Sequence, residues 1–145
     1  MILRRSLPLL LLSLLLVGCQ STPRPPTPEA LRPILQLLVR DGTVVALVNR
    51  PEIALLVVQV TRDAESLLQD PPDFAALQPA IVQALDRASL APWQQAMVGN
   101  VVVGMLTLAG QYLDRHQVEA VAKATYARDI LHWIQEGASL VSPQL

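Results

Sequence analysis

The sequence predicts an all-α protein, a small bundle of five to six helices that follows a cleaved leader and a proline-rich linker. Three observations predict it. Apolar residues recur at helical spacing through most of residues 29–138. The runs are separated by short breaks that carry proline, glycine and capping residues, the pattern of an antiparallel bundle. Apolar residues make up 52% of the chain and there is a single cysteine, so a packed core and no disulfide must hold the fold.

The elements follow in order. Residues 20–28 hold four prolines in nine positions, which favours polyproline II and gives a semi-rigid spacer of roughly 25–30 Å. Thr27 is placed to cap the first helix, with Pro28 at its first position and Glu29 in its first turn. Leu31, Ile34, Leu35 and Leu38 mark its apolar face. Pro33 predicts a kink or restart there, and Gly42 predicts the stop.

The stretch "TVVALVNRPEIALLVVQV", residues 43–60, also suits a hairpin turning at Asn49-Arg50-Pro51. Asn49 and Glu52, however, have the spacing of a capping box, with Pro51 in the first turn. Ile53, Leu56, Val57, Val60, Ala64, Leu67 and Leu68 then hold one helical face. The prediction is a short helix at 43–48 and a longer one from about 50 to 69, its apolar first half central.

Asp70-Pro71-Pro72-Asp73 is a break. Phe74, Leu77, Ile81, Leu85 and Ala88 mark the next helix, with Pro79 forcing a bend or a start. Ser89 and Pro92 open a longer one, with Trp93, Met97, Val101, Met105, Leu108 and Tyr112 on its apolar face. Asp114 and Gln117 have box spacing for the last helix, which Gly137 is expected to end. Ala30-Leu31-Arg32-Pro33 is echoed by Ala76-Leu77-Gln78-Pro79, and Thr43 by Ser89, at the same offset. Duplication of a helical pair would produce this echo, as would chance in a chain rich in Leu and Ala.

At the N-terminus, Arg4 and Arg5 precede an uncharged stretch at residues 7–17, then Gly18 and Cys19. That is the layout of a secretory signal peptide, and about 11 apolar residues are too few for the roughly 20 of a spanning helix. Leu16-Val17-Gly18-Cys19 resembles the lipobox of bacterial lipoproteins. The resemblance implies cleavage before Cys19 and acylation of that thiol. Each buried methylene contributes about 0.8 kcal/mol, so two or three chains would hold the protein on a membrane without a span. Gln20 stands where an aspartate favours inner-membrane retention in enterobacteria-like lipoproteins, which implies the periplasmic face of the outer membrane. The domains read as residues 1–18 leader, 19–28 lipidated cysteine and linker, 29–138 helical domain and 139–145 tail.

Composition narrows the function. Without residues 1–18, nine basic residues face twelve acidic ones, which offers no surplus for binding nucleic acid. His116 and His132, sixteen residues apart and read on one helix, point to opposite sides and share no metal. Asp129 and His132, and Glu119 and Lys123, have the spacing of surface pairs. Nucleophile elbows and phosphate loops are lacking, and no cofactor or metal is expected.

The reading is therefore a non-enzymatic helical adaptor at the outer membrane, which takes an envelope protein on an apolar face. Trp93, Met97, Tyr112 and Trp133 are its candidate binding residues. In broad architecture this resembles secretin-pilotin lipoproteins. A second reading is a membrane-active, phage-derived lysis or exclusion lipoprotein. Residues 95–113 carry no charge, and the proline cluster is similar to that of outer-membrane spanins. A third is a carrier of a hydrophobic small molecule. All three share the acylated cysteine. Growth with labelled palmitate should mark the native chain and leave Cys19→Ser unlabelled; equal absence of label from both refutes the anchor.

Overall fold

The computed structural model describes residues 27–142, which form five α-helices and one 3-10 turn, with no strand among them. They are α1 (Pro28–Leu47), α2 (Pro51–Leu67), the 3-10 turn (Phe74–Ala76), α3 (Leu77–Arg87), α4 (Pro92–Arg115) and α5 (Ala120–Val141). The all-α bundle is thus the observed fold. The leader and most of the linker lie outside the described residues.

Proline sets three of the helix starts. Pro28, Pro51 and Pro92 each occupy the first helical position, where a missing N–H costs nothing and the fixed φ suits the helix. Thr27 caps α1 as its position suggested, its Oγ1 accepting the Ala30 N–H at 3.4 Å.

Several boundaries differ from the sequence reading. α1 runs unbroken through Pro33 and Gly42, absorbing the short helix expected at 43–48. Pro33 lies on the exposed side near the helix start. Around Gly42, Val39, Thr43 and Leu47 continue one buried face, and that packing outweighs the glycine's weak helix propensity. Asn49 caps nothing. Arg50 is the N-cap residue of α2, and Glu52 lies 3.8 Å from the Arg50 guanidinium instead.

Ser89 opens no helix either. It takes a left-handed φ of 51° in the turn after α3, and Ala91 becomes the N-cap residue of α4. Gln94 Oε1 accepts the Ala91 N–H at 3.0 Å, which is half of a capping box. Gln117, at φ 55°, reverses the chain after α4, while Asp114 stays inside α4. α5 therefore starts at Ala120, and the two histidines lie on separate elements: His116 ends α4 and His132 belongs to α5. The echoed residues 30–33 and 76–79 both lie at helix starts with Leu31 and Leu77 buried, but the echo stops there: Thr43 is buried within α1, whereas its counterpart Ser89 is a turn residue.

The centre of the bundle is α5. Tyr126, Ala127, Ile130, Leu131, Trp133, Ile134 and Ala138 are all buried, and the helix lies between α1 and α2. α3 packs on α2, and α4 lies across α1, α2 and α3. The first half of α2, expected to be central, leaves Leu55 exposed. Buried polar groups are matched: Thr43 Oγ1 donates to the Val39 carbonyl and Thr61 Oγ1 to the Val57 carbonyl, each at 2.7 Å. Gln135 Nε2 donates to Glu65 Oε2 at 3.2 Å and ties α5 to α2.

Gly137 does not end α5 but lies buried within it, at its closest approach to α1. A Cβ at Gly137 would collide with the Arg40 carbonyl oxygen and stand 2.9 Å from Thr43 Cβ. Gly104 of α4 is the reverse case, with no atom within 4 Å of a Cβ built there. The two sites should respond with opposite signs. Gly137→Ala is expected to lower stability by about 1–3 kcal/mol through backbone overpacking. Gly104→Ala should raise it by about 0.5–1 kcal/mol through helix propensity. Urea unfolding of both variants checks the pair.

Candidate functional site

The side chains singled out in the sequence are not gathered into one face. Cys19 lies outside the described residues. Trp93 stands half exposed at the start of α4. Met97 and Tyr112 lie further along that helix, both half-buried and separated by about 22 Å of helical rise. Trp133 is buried on α5, away from that row.

Trp133 belongs to a cluster that the sequence did not reveal. The Arg32 guanidinium of α1 lies 5.8 Å from the Trp133 ring centre and 5.6 Å from that of Tyr126. It also pairs with Asp129 at 2.7 Å, so Asp129 faces α1 and not His132. His132 Nε2 lies 3.5 Å from Glu136 instead. The Tyr126 hydroxyl donates to the Pro28 carbonyl and fastens the first residue of α1 to α5. Burial pushes the Tyr126 phenol up from its ordinary value of 10.0.

Beside this cluster lies an open groove of about 870 Å³. One wall is the start of α5, with Ala120, Val121, Ala124 and Thr125. The other is Pro71-Pro72-Asp73, and Arg32 closes one end. Arg128 joins the walls by donating to Asp70 Oδ1 at 2.6 Å and to the Leu68 carbonyl at 3.4 Å. Both arginines at the groove are therefore paired, whereas Asp73 has no ion-pair partner among the described residues. In the sequence, Asp-Pro-Pro-Asp marked only a break between helices. Arg128 meets it across 58 residues of chain, a pairing that no local spacing signals.

A second surface runs along α4. Val98, Val102, Leu106, Ala109 and Leu113 are buried. The predicted row of Met97, Val101, Met105, Leu108 and Tyr112 is one residue out of register, so it forms a half-buried shoulder about 100° away. Ala96, Asn100, Gly104, Thr107 and Gln111 form an exposed stripe, and no charge occurs from residue 95 to 113. Only 28% of the most apolar window of this helix is buried, so α4 is an outer helix and not a central one. Leu38 of α1 and Leu108 of α4 line one small pocket of about 140 Å³. The exposed Ile34 and Val45 share the α1 side of Leu38 and widen the apolar surface.

No family model, curated protein or solved structure matches this chain. Among the described residues, no group of three or more His, Cys, Asp or Glu side chains is placed to hold a metal ion. One surface is an uncharged helix face, the other an apolar groove with paired charges at its rim.

Tyr126→Phe should cost about 1 kcal/mol at neutral pH through the lost bond to Pro28. Because the folded phenol titrates above 10.0, its contribution is complete below pH 10 and is lost as the pH climbs further, where the unfolded phenol ionises first. The stability difference between the native chain and Tyr126→Phe should therefore narrow in alkaline solution. Paired urea titrations at pH 8 and above pH 10 test this.

Proposed function

We propose that this chain is a lipid-anchored, non-enzymatic binding module of the bacterial envelope, held on the periplasmic face of the outer membrane through Cys19. The observation that carries the binding role is the exposed face of α4, which is free of charge from residue 95 to 113. An amphipathic helix of an envelope protein laid along it would desolvate no ion on this side. Gly104 lets the backbone of such a helix come close, and Asn100, Thr107 and Gln111 offer hydrogen bonds along the seam. The shoulder residues Met97 and Tyr112 would border the partner, with Trp93 at one end. The lipobox supports the address, and the proline-rich spacer supports a reach of a few nanometres from the bilayer.

One observation favours a membrane-active reading. α4, at 24 residues, is the one helix among the described residues long and apolar enough to cross a bilayer. Insertion would uncover the apolar residues of α1, α2 and α3 on which α4 packs and leave them facing water. That cost weighs for the adaptor.

The test uses the full lipidated chain. Photocrosslinking from position 107 in intact cells should give a specific heterologous adduct. Gly104→Arg should reduce it at least tenfold without lowering the melting temperature, because the position is open. An adduct unaffected by Gly104→Arg removes α4 as the binding face. Leakage of dye from liposomes by the purified chain would favour the membrane-active reading.

A further inference from the structure

The outer side of α1 departs from the usual amphipathic pattern. Its inner row buries Leu31, Leu35, Val39, Thr43 and Leu47, so the side turned to water should be polar. Instead Ile34, Leu37, Val45 and Val48 stand there between 50% and 74% exposed, with Leu38 and Val44 half-buried beside them. These six fall within an arc of about 120° at about 100° per residue, and Asp41 is the one charge among them.

The spacing is that of a seam between two helices. Ile34, Asp41 and Val48 stand seven residues apart, and Leu37-Leu38 and Val44-Val45 fill the positions between, as in a heptad. The row also reads alike from either end. About position 41, Ile34 mirrors Val48, Leu37 mirrors Val45 and Leu38 mirrors Val44. A patch with this symmetry is complementary to its own copy turned about a two-fold axis, a match that an unlike partner would not require. We propose that a second copy of this chain packs antiparallel on α1, with the axis at Asp41.

Area and charge agree with a second copy. The six side chains leave roughly 400–500 Å² of apolar surface in water, at the upper end of what a monomer leaves bare. A pair covers about twice that, close to the roughly 1,000 Å² at which specific interfaces begin. Arg40 Nε donates to Asp41 Oδ1 at 3.0 Å within each copy, so the axis brings together two ion pairs and not two bare carboxylates. The repulsion that remains weakens the pair but fixes its register, as a polar residue does in a coiled-coil seam. The pairing uses neither Cys19 nor the exposed stripe of α4, and so stands apart from the proposed function.

The experiment places a cysteine at the axis. The purified full chain carrying Asp41→Cys is oxidised with copper phenanthroline, and disulfides are mapped by peptide mass, which tells residue 41 from Cys19. A 41–41 disulfide should form at least fivefold more than the 140–140 disulfide of Leu140→Cys, an exposed position on α5. Adding Val45→Asp to Asp41→Cys should lower the 41–41 yield at least fivefold with helical content unchanged, because Val45 makes no buried contact within the monomer. In sedimentation of the full chain, Asp41→Leu should tighten self-association at least tenfold by removing the repulsion. Equal yields at 41 and 140, a yield indifferent to Val45→Asp, or no tightening by Asp41→Leu would overturn the proposal. Gly104→Arg should leave the 41–41 yield unaltered, which separates failure here from failure of the α4 binding face.

Discussion

The close crossing of α1 and α5 at Gly137 is the constraint on which the bundle depends. Only a residue without a side chain lets the Arg40 carbonyl and Thr43 lie against the α5 backbone. That approach brings the buried residues Leu35, Val39 and Leu47 of α1 into one core with Tyr126, Ile130 and Ile134 of α5. α2 then closes the opposite side of α5, and α3 and α4 pack on what remains. With no disulfide among the described residues, this stack of apolar contacts is the main cohesive force.

α4 shows what a five-helix bundle does with a helix longer than its core needs. Its inner row is fully committed to the interior, yet its outer stripe consists of Ala, Asn, Gly, Thr and Gln. Such residues are polar or small enough to face water, and they carry no charge to be desolvated when another helix arrives. The face therefore tolerates both an aqueous and a packed environment. That dual tolerance is the physical basis of the proposed adaptor role.

At the groove beside the start of α5 the ion pairs position more than they stabilise. Asp70, the partner of Arg128, is largely exposed, and solvated pairs of this kind contribute about 0–1 kcal/mol. Their effect is geometric. Arg128 anchors the Pro71-Pro72 wall to α5, and Arg32, held between Asp129 and two aromatic rings, fixes the end of the groove. Tyr126 brings the start of α1 to the same corner of the molecule.

The helical periods of Ile53, Val57, Val60 and Ala64, and of Leu77, Ile81 and Leu85, were legible because each of these helices keeps one dry face, and periodicity records that directly. Proline at the first helical position was equally legible, since its φ and missing N–H are local properties. Gly42 and Gly137 misled because a glycine marks either a stop or a close approach, and only the neighbouring helix decides which. The face of α4 was read one residue out of register because its inner and shoulder rows are both apolar, so composition could not tell covered from uncovered. The sequence by itself determined the helical class and most of the helix starts. The tertiary structure alone decided which face of α4 stays bare and which residues form the groove, because Arg32, Asp70, Val121 and Arg128 meet through packing across the chain and through no spacing within it.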